Sequence, residues 1–317
     1  MTVKESLLKI FEESGGRELS GQTLADKLNV SRTAVWKGIN SLNSDGYRIE
    51  AEKGKGYRLL DSGDLLSAER IRLYLPEELR ENEIKVLKTV DSTNTFAKKQ
   101  AADGAKNGTL IISEEQTCGR GRRGNSFYSP SGTGLYMSLI LNRALDGCDA
   151  DLITICAGCA VCLAIEELTE KSPLIKWVND VYLDAKKICG ILSEATFDYE
   201  AGRMDSIVVG IGINITTSFF PDGLEKKAGS VNAPIERAKL AAKVTEFLFK
   251  CLERTREENI ADYKSRSLVL GREVEFTKEN RLHKAKAVDI DMKGRLIVES
   301  EEGRLALNSG EISVVLQ

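Results

Sequence analysis

The sequence predicts a multidomain α+β chain with an N-terminal winged helix-turn-helix, a central mixed α/β domain and a small C-terminal β-barrel. Three observations carry this expectation. The first sixty residues hold helix patterns split by a tight turn and followed by a glycine-rich basic hairpin. In the middle of the chain, strand patterns follow one another without a helix between them, as around Asp184-Ala185-Lys186, which favours a mixed sheet over a regular parallel one. After about Leu268 only short strands and turns remain. A length of 317 residues suits two or three units, and boundaries are expected at 1–64, 65–267 and 268–317.

In the first module, Lys4 to Glu13 shows helical spacing, with Leu7, Leu8, Ile10 and Phe11 on the inner face. A short helix follows from Gly21, with small Ala25 where two helices would cross. Asn29 tolerates the left-handed backbone that a sharp turn needs, and Ser31 suits the N-cap of the next helix. Val35, Ile39 and Leu42 would face the core. That leaves Arg32, Thr33, Trp36 and Lys37 exposed, a set able to reach base edges and phosphates in a major groove. Strands at 46–51 and 57–60 flank Glu52-Lys53-Gly54-Lys55-Gly56, the basic tip of a wing. Six Lys/Arg stand against three Asp/Glu between Ser31 and Leu60, a local balance of +3 in a chain of formal net charge −3. Lys53 and Lys55 are therefore expected to meet phosphate while the helix selects sequence. The alternative is a helix-turn-helix kept only for dimerisation or as a relic. Residues 61–64 read as a polar linker.

Hydrophobic residues make up 42% of the chain and charged residues 29%, which supports ordinary globular cores and argues against disorder. The N-terminus has no apolar signal core, and no apolar run is long enough to cross a bilayer, so a cytoplasmic chain without a membrane partner is expected. Seven cysteines, an odd number, favour reduced thiols. Cys156, Cys159 and Cys162 form a CxxCxxC that reads either as a metal site or as small buried residues of an apolar helix. No second CxxC follows and the single histidine, His283, is distant, which weighs against the metal and against a histidine-based triad.

The central stretch predicts strands at 84–90, 109–114, 135–141, 174–178, 181–183, 187–194 and 207–215, and helices at 92–102, 151–168 and 235–257. Its most informative segment is Gln116-Thr117-Cys118-Gly119-Arg120-Gly121-Arg122-Arg123-Gly124. The GxGxxG within it is not a dinucleotide fingerprint, since arginines fill the variable positions and the extended stretch 125–130 follows instead of a helix. Its glycines let backbone approach a ligand, and its arginines supply fixed charge for phosphate or carboxylate. Asp91-Ser92-Thr93-Asn94 lies at a strand-to-helix junction, where such side chains cap the helix or hold a ligand. Lys176-Trp177-Val178-Asn179-Asp180 lies between strands and precedes Lys187-Ile188-Cys189-Gly190. Gly210 and Gly212 within one strand suggest a ligand packed against backbone. The last fifty residues predict strands at 274–276, 284–290, 295–299 and 304–307.

Taken in order, these segments resemble the motifs of the bifunctional biotin protein ligases of the biotin operon repressor type: DSTN at 91–94, GRGRRG at 119–124, KWVND at 176–180 with KxxG at 187–190, and GIGIN at 210–214. SRTAVWK at 31–37 and GKGY at 54–57 resemble the DNA-binding module of the same family, so the resemblance spans essentially the whole chain. It implies a biotin/lipoate-ligase-like, class II synthetase-like central domain and an SH3-like C-terminal barrel. The implied reaction has two steps. Biotin and ATP give biotinyl-adenylate and pyrophosphate, and a lysine of an acceptor then takes the biotinyl group as AMP leaves. The implied partners are Mg²⁺ with the ATP, the biotin carboxyl carrier domain of acetyl-CoA carboxylase, operator DNA and a second copy of the chain.

By the same resemblance, Ser92, Thr93, Asn94 and Gln116 shape the biotin pocket, and Arg120 and Arg122 lie in the loop that closes over biotin and adenylate. Gly121, Gly190, Gly210 and Gly212 let backbone touch the ligand, and Asn179 and Asn214 face the nucleotide. Lys187 is the expected key charge on the biotin carboxylate and the reacting phosphate, and Asp180 the expected Mg²⁺ ligand. The sequence departs from the family pattern at Val178, where proline is common, at Asn125 and Phe127, where arginine and tryptophan are common, and at Val315, where some relatives carry arginine. A lipoate-type ligase and a biotin-sensing repressor without turnover remain the competing readings.

Overall fold

The computed structural model describes residues 2–52, 54–60, 63–142, 150–198, 203–278, 281–301, 303–308 and 315–316. Two compact units make up the fold: Met1–Pro76 with Glu236–Ala242, and Glu77–Ile235 with Lys243–Gln317.

The first unit opens on helix α1 (Val3–Glu13), started by a reciprocal cap in which Thr2 Oγ1 accepts the Glu5 amide and Glu5 Oε2 accepts the Thr2 amide. Helix α2 (Gly21–Leu28) ends at Asn29, whose φ of 52° is the left-handed conformation expected there. Ser31 Oγ then accepts the Ala34 amide at 3.2 Å and starts α3 (Arg32–Ser44). Leu7, Leu8, Phe11, Leu24, Val35, Ile39 and Leu42 share one core. Gly38 lets α3 lie against Leu7, because a Cβ there would come within 2.5 Å of the Leu7 side chain.

The wing pairs β1 (Ile49–Glu52) with β2 (Gly56–Leu59) in antiparallel register. Its first strand begins three residues later than the sequence suggests, since Gly46 turns at φ 100° and Tyr47 enters the core, with its hydroxyl 2.6 Å from Ser67 Oγ. Leu19 adds a third segment to the wing by exchanging two backbone hydrogen bonds with Tyr57. Lys53 and two residues of the expected linker, 61 and 62, lie outside the described residues. A short helix that periodicity does not reveal, α4 (Ala68–Tyr74), follows the N-cap Ser67.

The second unit is built on a seven-stranded mixed sheet. Strand β3 (Ile84–Val90) runs parallel to β4 (Leu110–Gln116), and every other neighbouring pair is antiparallel: β4 with β5 (Gly134–Asn142), then β9 (Arg203–Asn214), β8 (Lys186–Asp198), β7 (Asp180–Leu183) and β6 (Leu174–Lys176). Helix α5 (Thr93–Ala102) connects β3 to β4. Helix α6 (Ala150–Leu168) is buried almost all round, and burying each of its large aliphatic side chains contributes about 1.5–3 kcal/mol. Cys156, Cys159 and Cys162 are among its buried residues, and burial pushes the Cys162 thiol up to about 12.

The helix expected at 235–257 is two helices. Helix α7 (Arg237–Glu253) stops, and Thr255 starts α8 (Arg256–Ser265) with a capping box to Glu258, at 3.2 Å and 2.8 Å. The Thr-x-x-Glu pattern at 255–258 is the signal that overrides continuous amphipathicity.

The C-terminal strands β10 (Glu273–Lys278), β11 (Arg281–Ile290), β12 (Leu296–Ser300), β13 (Gly303–Leu307) and β14 (Val315–Leu316) form one antiparallel sheet in the order β13-β12-β11-β10-β14. Among the described residues no helix is long and apolar enough to cross a membrane.

Gly56 holds φ 123° and a Cβ there would strike the Leu19 backbone. Gly56→Ala is therefore expected to destabilise the wing by more than about 1 kcal/mol, read as faster hydrogen exchange at the Leu19 and Tyr57 amides.

Candidate functional site

The site rests on a strip of sheet without side chains. Gly190 on β8 lies opposite Gly212 on β9, and Gly210 lies between Leu192 and Ser138 of the flanking strands. The Phe127 ring occupies the cleared space over Gly212, where a Cβ would come within 2.6 Å of it, and Asn94 does the same over Gly210. Two cavities open on this floor. The smaller, about 20 Å³, is lined by Ser92, Thr93, Asn94, Gln116, Arg120, Phe127, Gly190, Leu192, Gly210, Ile211 and Gly212. The larger, about 170 Å³, is lined by residues 120–123, 125–127, 176, 177, 179, 180, 187 and 190–192. Arg120, Phe127, Gly190 and Leu192 line both.

The smaller cavity has a wall of neutral polar groups in one hydrogen-bonded chain. Gln116 Oε1 accepts the Thr93 amide at 2.8 Å and the Thr93 hydroxyl at 3.1 Å, while its Nε2 donates to Ser129 Oγ at 2.8 Å. The buried Ser138 hydroxyl lies 2.8 Å from Thr93 Oγ1 and 2.7 Å from Asn94 Oδ1. Asn94 Nδ2 donates to the Leu192 carbonyl at 3.1 Å and to Glu194 at 2.9 Å. Ser92 occupies the N-cap position of α5 yet makes no side-chain cap bond, so capping does not account for its hydroxyl.

The larger cavity is cationic. Lys187 Nζ stands 2.7 Å from Asp180 Oδ1, and Arg122 donates to Asn179 Oδ1 at 3.2 Å. Asn179 is itself fixed by donating to the Ile191 carbonyl at 2.9 Å. Burial, reinforced by Arg123, holds Arg122 below its usual range. Burial also lowers Lys176, with Lys187 and Lys227 acting in the same direction against the opposing pull of Asp180. Both cations are thus partly desolvated and would gain from an anionic neighbour. The loop between β4 and β5 turns at Arg123, with φ 57°, and then runs extended instead of opening a helix. That geometry agrees with rejecting the dinucleotide fingerprint.

The structure therefore brings together Ser92, Thr93, Asn94, Gln116, Arg120, Gly121, Arg122, Asn179, Asp180, Lys187, Gly190, Gly210 and Gly212. Asn214 stands apart: it lines neither cavity, is buried, and donates to the Gly229 carbonyl at 3.0 Å. Lys176, Arg123 and Phe127 line the larger cavity, and sequence reasoning misses them as site residues. Lys176 opens the KWVND stretch, so the motif marks its place without marking its charge. In the first unit, Arg32, Thr33, Trp36 and Lys37 lie on the exposed face of α3, with Trp36 54% exposed. Lys55 is exposed on the wing beside Glu52, at 2.5 Å.

The profile of the Biotin/lipoate A/B protein ligase family matches residues 86–214, an HTH domain profile matches 3–58, and the Biotin protein ligase C terminal domain matches 269–315. The bifunctional ligase/repressor BirA of Bacillus subtilis is 33% identical over 99% of each chain, and that of Escherichia coli is 29% identical over 95% of this chain and 94% of its own. The chain belongs to the bifunctional biotin ligase/repressor family. Its fold is similar to that of the biotin protein ligase from Aquifex aeolicus in complex with biotin and ATP, with a TM-score of 0.65 and 30% identity over 74% of this chain and 99% of that one. Within this biotin ligase/repressor chain, the central match falls on the strands and loops that hold the two cavities.

Because Asn94 fills the space over Gly210, Gly210→Ala overpacks the floor and breaks the hydrogen bonds of Asn94. It is expected to lower stability by about 1–3 kcal/mol in urea denaturation.

Proposed function

We propose that this chain is an ATP-dependent biotin–protein ligase that forms biotinyl-5′-AMP, transfers biotin to a lysine of a carboxyl carrier domain of acetyl-CoA carboxylase, and represses biotin genes by binding operator DNA. The observation that carries the reading is the pair of joined cavities. One is walled mostly by neutral hydrogen-bonding groups over a glycine floor, and the other is larger and lined by Arg120, Arg122, Arg123, Lys176 and Lys187.

The wall of the first cavity, rather than its volume, matches a neutral, bicyclic urea: Ser92, Thr93, Asn94 and Gln116 offer donors and acceptors, and Phe127 an apolar surface. Its carboxylate tail would pass Gly190, where the two cavities join, towards Lys187. Lys187 and Arg122 then face the charge that develops as a carboxylate oxygen attacks the α-phosphorus and pyrophosphate leaves. Lys176 and Arg123 suit the departing phosphates. In the second step the acceptor amine attacks the biotinyl carbonyl and AMP departs. Positioning and fixed positive charge suffice for both steps, with no histidine base. Asn179 is proposed on the nucleotide side, and so is Asn214, which lines neither cavity but has a buried Oδ1 without a hydrogen-bond partner among the described residues. Mg²⁺ bound to ATP phosphates typically needs only one or two protein carboxylates, and Asp180, the one acid lining the cavity among the described residues, is the residue that would hold it. The ion would neutralise phosphate charge there. Labour divides between residues 1–64 for DNA, 65–267 for ligation and 268–317 for the acceptor. The protein acts in the cytoplasm as a homodimer that sets two wings on one operator.

Purified protein with Mg-ATP is expected to release pyrophosphate when biotin is added, and Lys187→Ala to reduce that rate about 10²–10³-fold. Release with lipoate alone would move the chain to a lipoate ligase, and no release with either would leave a ligand-sensing repressor. For DNA, an operator gel shift is expected to weaken steeply as salt rises. Replacing Arg32 and Lys37 by alanine is expected to flatten that dependence by roughly one unit of log–log slope for each phosphate no longer neutralised.

A further inference from the structure

Glu194 lies on β8 four residues past Gly190 and lines neither cavity, yet the wall of the smaller cavity converges on its carboxylate. One oxygen accepts Asn94 Nδ2 at 2.9 Å. The other accepts Lys98 Nζ at 2.8 Å and stands 3.7 Å from the Arg120 guanidinium. Asn94 is thereby held at both ends, since its Oδ1 meets Ser138 Oγ at 2.7 Å. Arg120 sits at the base of the glycine–arginine loop, bridged to Ser126 across it.

A carboxylate beside a site for an anion would cost binding unless it were neutralised. Lys98, one turn along α5 from Asn94, supplies that charge, so the cluster of Glu194, Lys98 and Arg120 keeps a net positive sign. Burial raises the Glu194 carboxyl, but hydrogen bonds from Lys98 and Asn94 and the charges of Lys98 and Arg120 outweigh it and hold the group below its usual range.

We infer that Glu194 is a positioning residue for biotin, locking Asn94 in one orientation and tying the base of the glycine–arginine loop, through Arg120, to the sheet before any ligand binds. The biotin part of this inference rests on the function proposed above. A glutamine at 194 keeps an acceptor for Asn94 and removes the charge that pairs with both Lys98 and Arg120, and Lys98→Met removes the first pairing alone, so the two variants together separate the latch from simple packing.

In ligand-free Glu194→Gln, trypsin is expected to cut at 120–123 about five- to tenfold faster than in the parent. The biotin KM is expected to rise about tenfold while the ATP KM stays within about twofold. Lys98→Met, which leaves Glu194 charged against Arg120, is expected to be cut no faster than the parent. An unchanged cutting rate and biotin KM in Glu194→Gln would overturn the inference. So would equal acceleration in Lys98→Met, or a joint rise of both KM values with a lower melting temperature, since these mark general loosening. If the parent shows no biotin-dependent pyrophosphate release, the ligase reading fails instead, and the trypsin comparison still decides whether the latch exists.

Discussion

Everything at the site depends on three missing side chains. Opposing glycines at 190 and 212, with Gly210 beside them, clear a patch of sheet wide enough for a ring and an amide to lie on backbone. The cleared patch lets the start of α5 and the loop between β4 and β5 descend onto the sheet from two directions. A Cβ at 212 would have to displace Phe127 and one at 210 would displace Asn94 from the polar wall, while one at 190 would press on Phe127 and Lys187. The cavity is thus a property of register: β8 and β9 pair so that two glycines face each other, and the binding surface follows.

The second constraint is electrostatic. The chain carries a formal net charge of −3, yet the larger cavity collects five cationic side chains and one carboxylate among the described residues. That balance is tolerable because the cations are not all solvated alike. Burial lowers Arg122 and Lys176, and Asp180 at 2.7 Å anchors Lys187. A site of partly desolvated, mutually repelling cations gains most from a polyanion, which is what a nucleoside triphosphate offers. The winged helix uses positive charge differently, on the open face of α3 and at the wing, where salt screens it.

Much of this is legible in the sequence, because turns, caps and glycine positions are local. Asn29 and Ser31 mark the turn and cap they form, and the motifs carrying Ser92, Arg120, Lys187 and Gly212 converge as their order suggests. Long-range facts are not legible. Glu194 belongs to no motif, and its partners lie 74 to 100 residues away along the chain. Nothing in the stretch 210–214 indicates that Asn214 is buried while Gly212 is a floor; the packing of Gly229 decides it. Helix α4 is too short to show a period, and the break before α8 falls in a charged run, 253–258, whose residue types suit a continuing helix as well as a cap.

The KWVND stretch shows how five residues tie distant parts of the second unit to the site. Lys176 lines the larger cavity, while the next residue, Trp177, sends its indole N–H to the Gly294 carbonyl in the turn between β11 and β12, at 2.9 Å. Tyr263 of α8 donates to the Val178 carbonyl at 3.0 Å, and Asn179 joins β8 to Arg122. Asp180 ends the stretch on Lys187. Consecutive residues thus hold the C-terminal sheet, α8, the central sheet and the arginine loop, and none can shift far without moving its neighbours. A displacement of the C-terminal sheet that moved Trp177 would be felt one peptide away at Lys176. The C-terminal module can therefore bias the cationic side of the site without a described residue of its own among those lining the cavity.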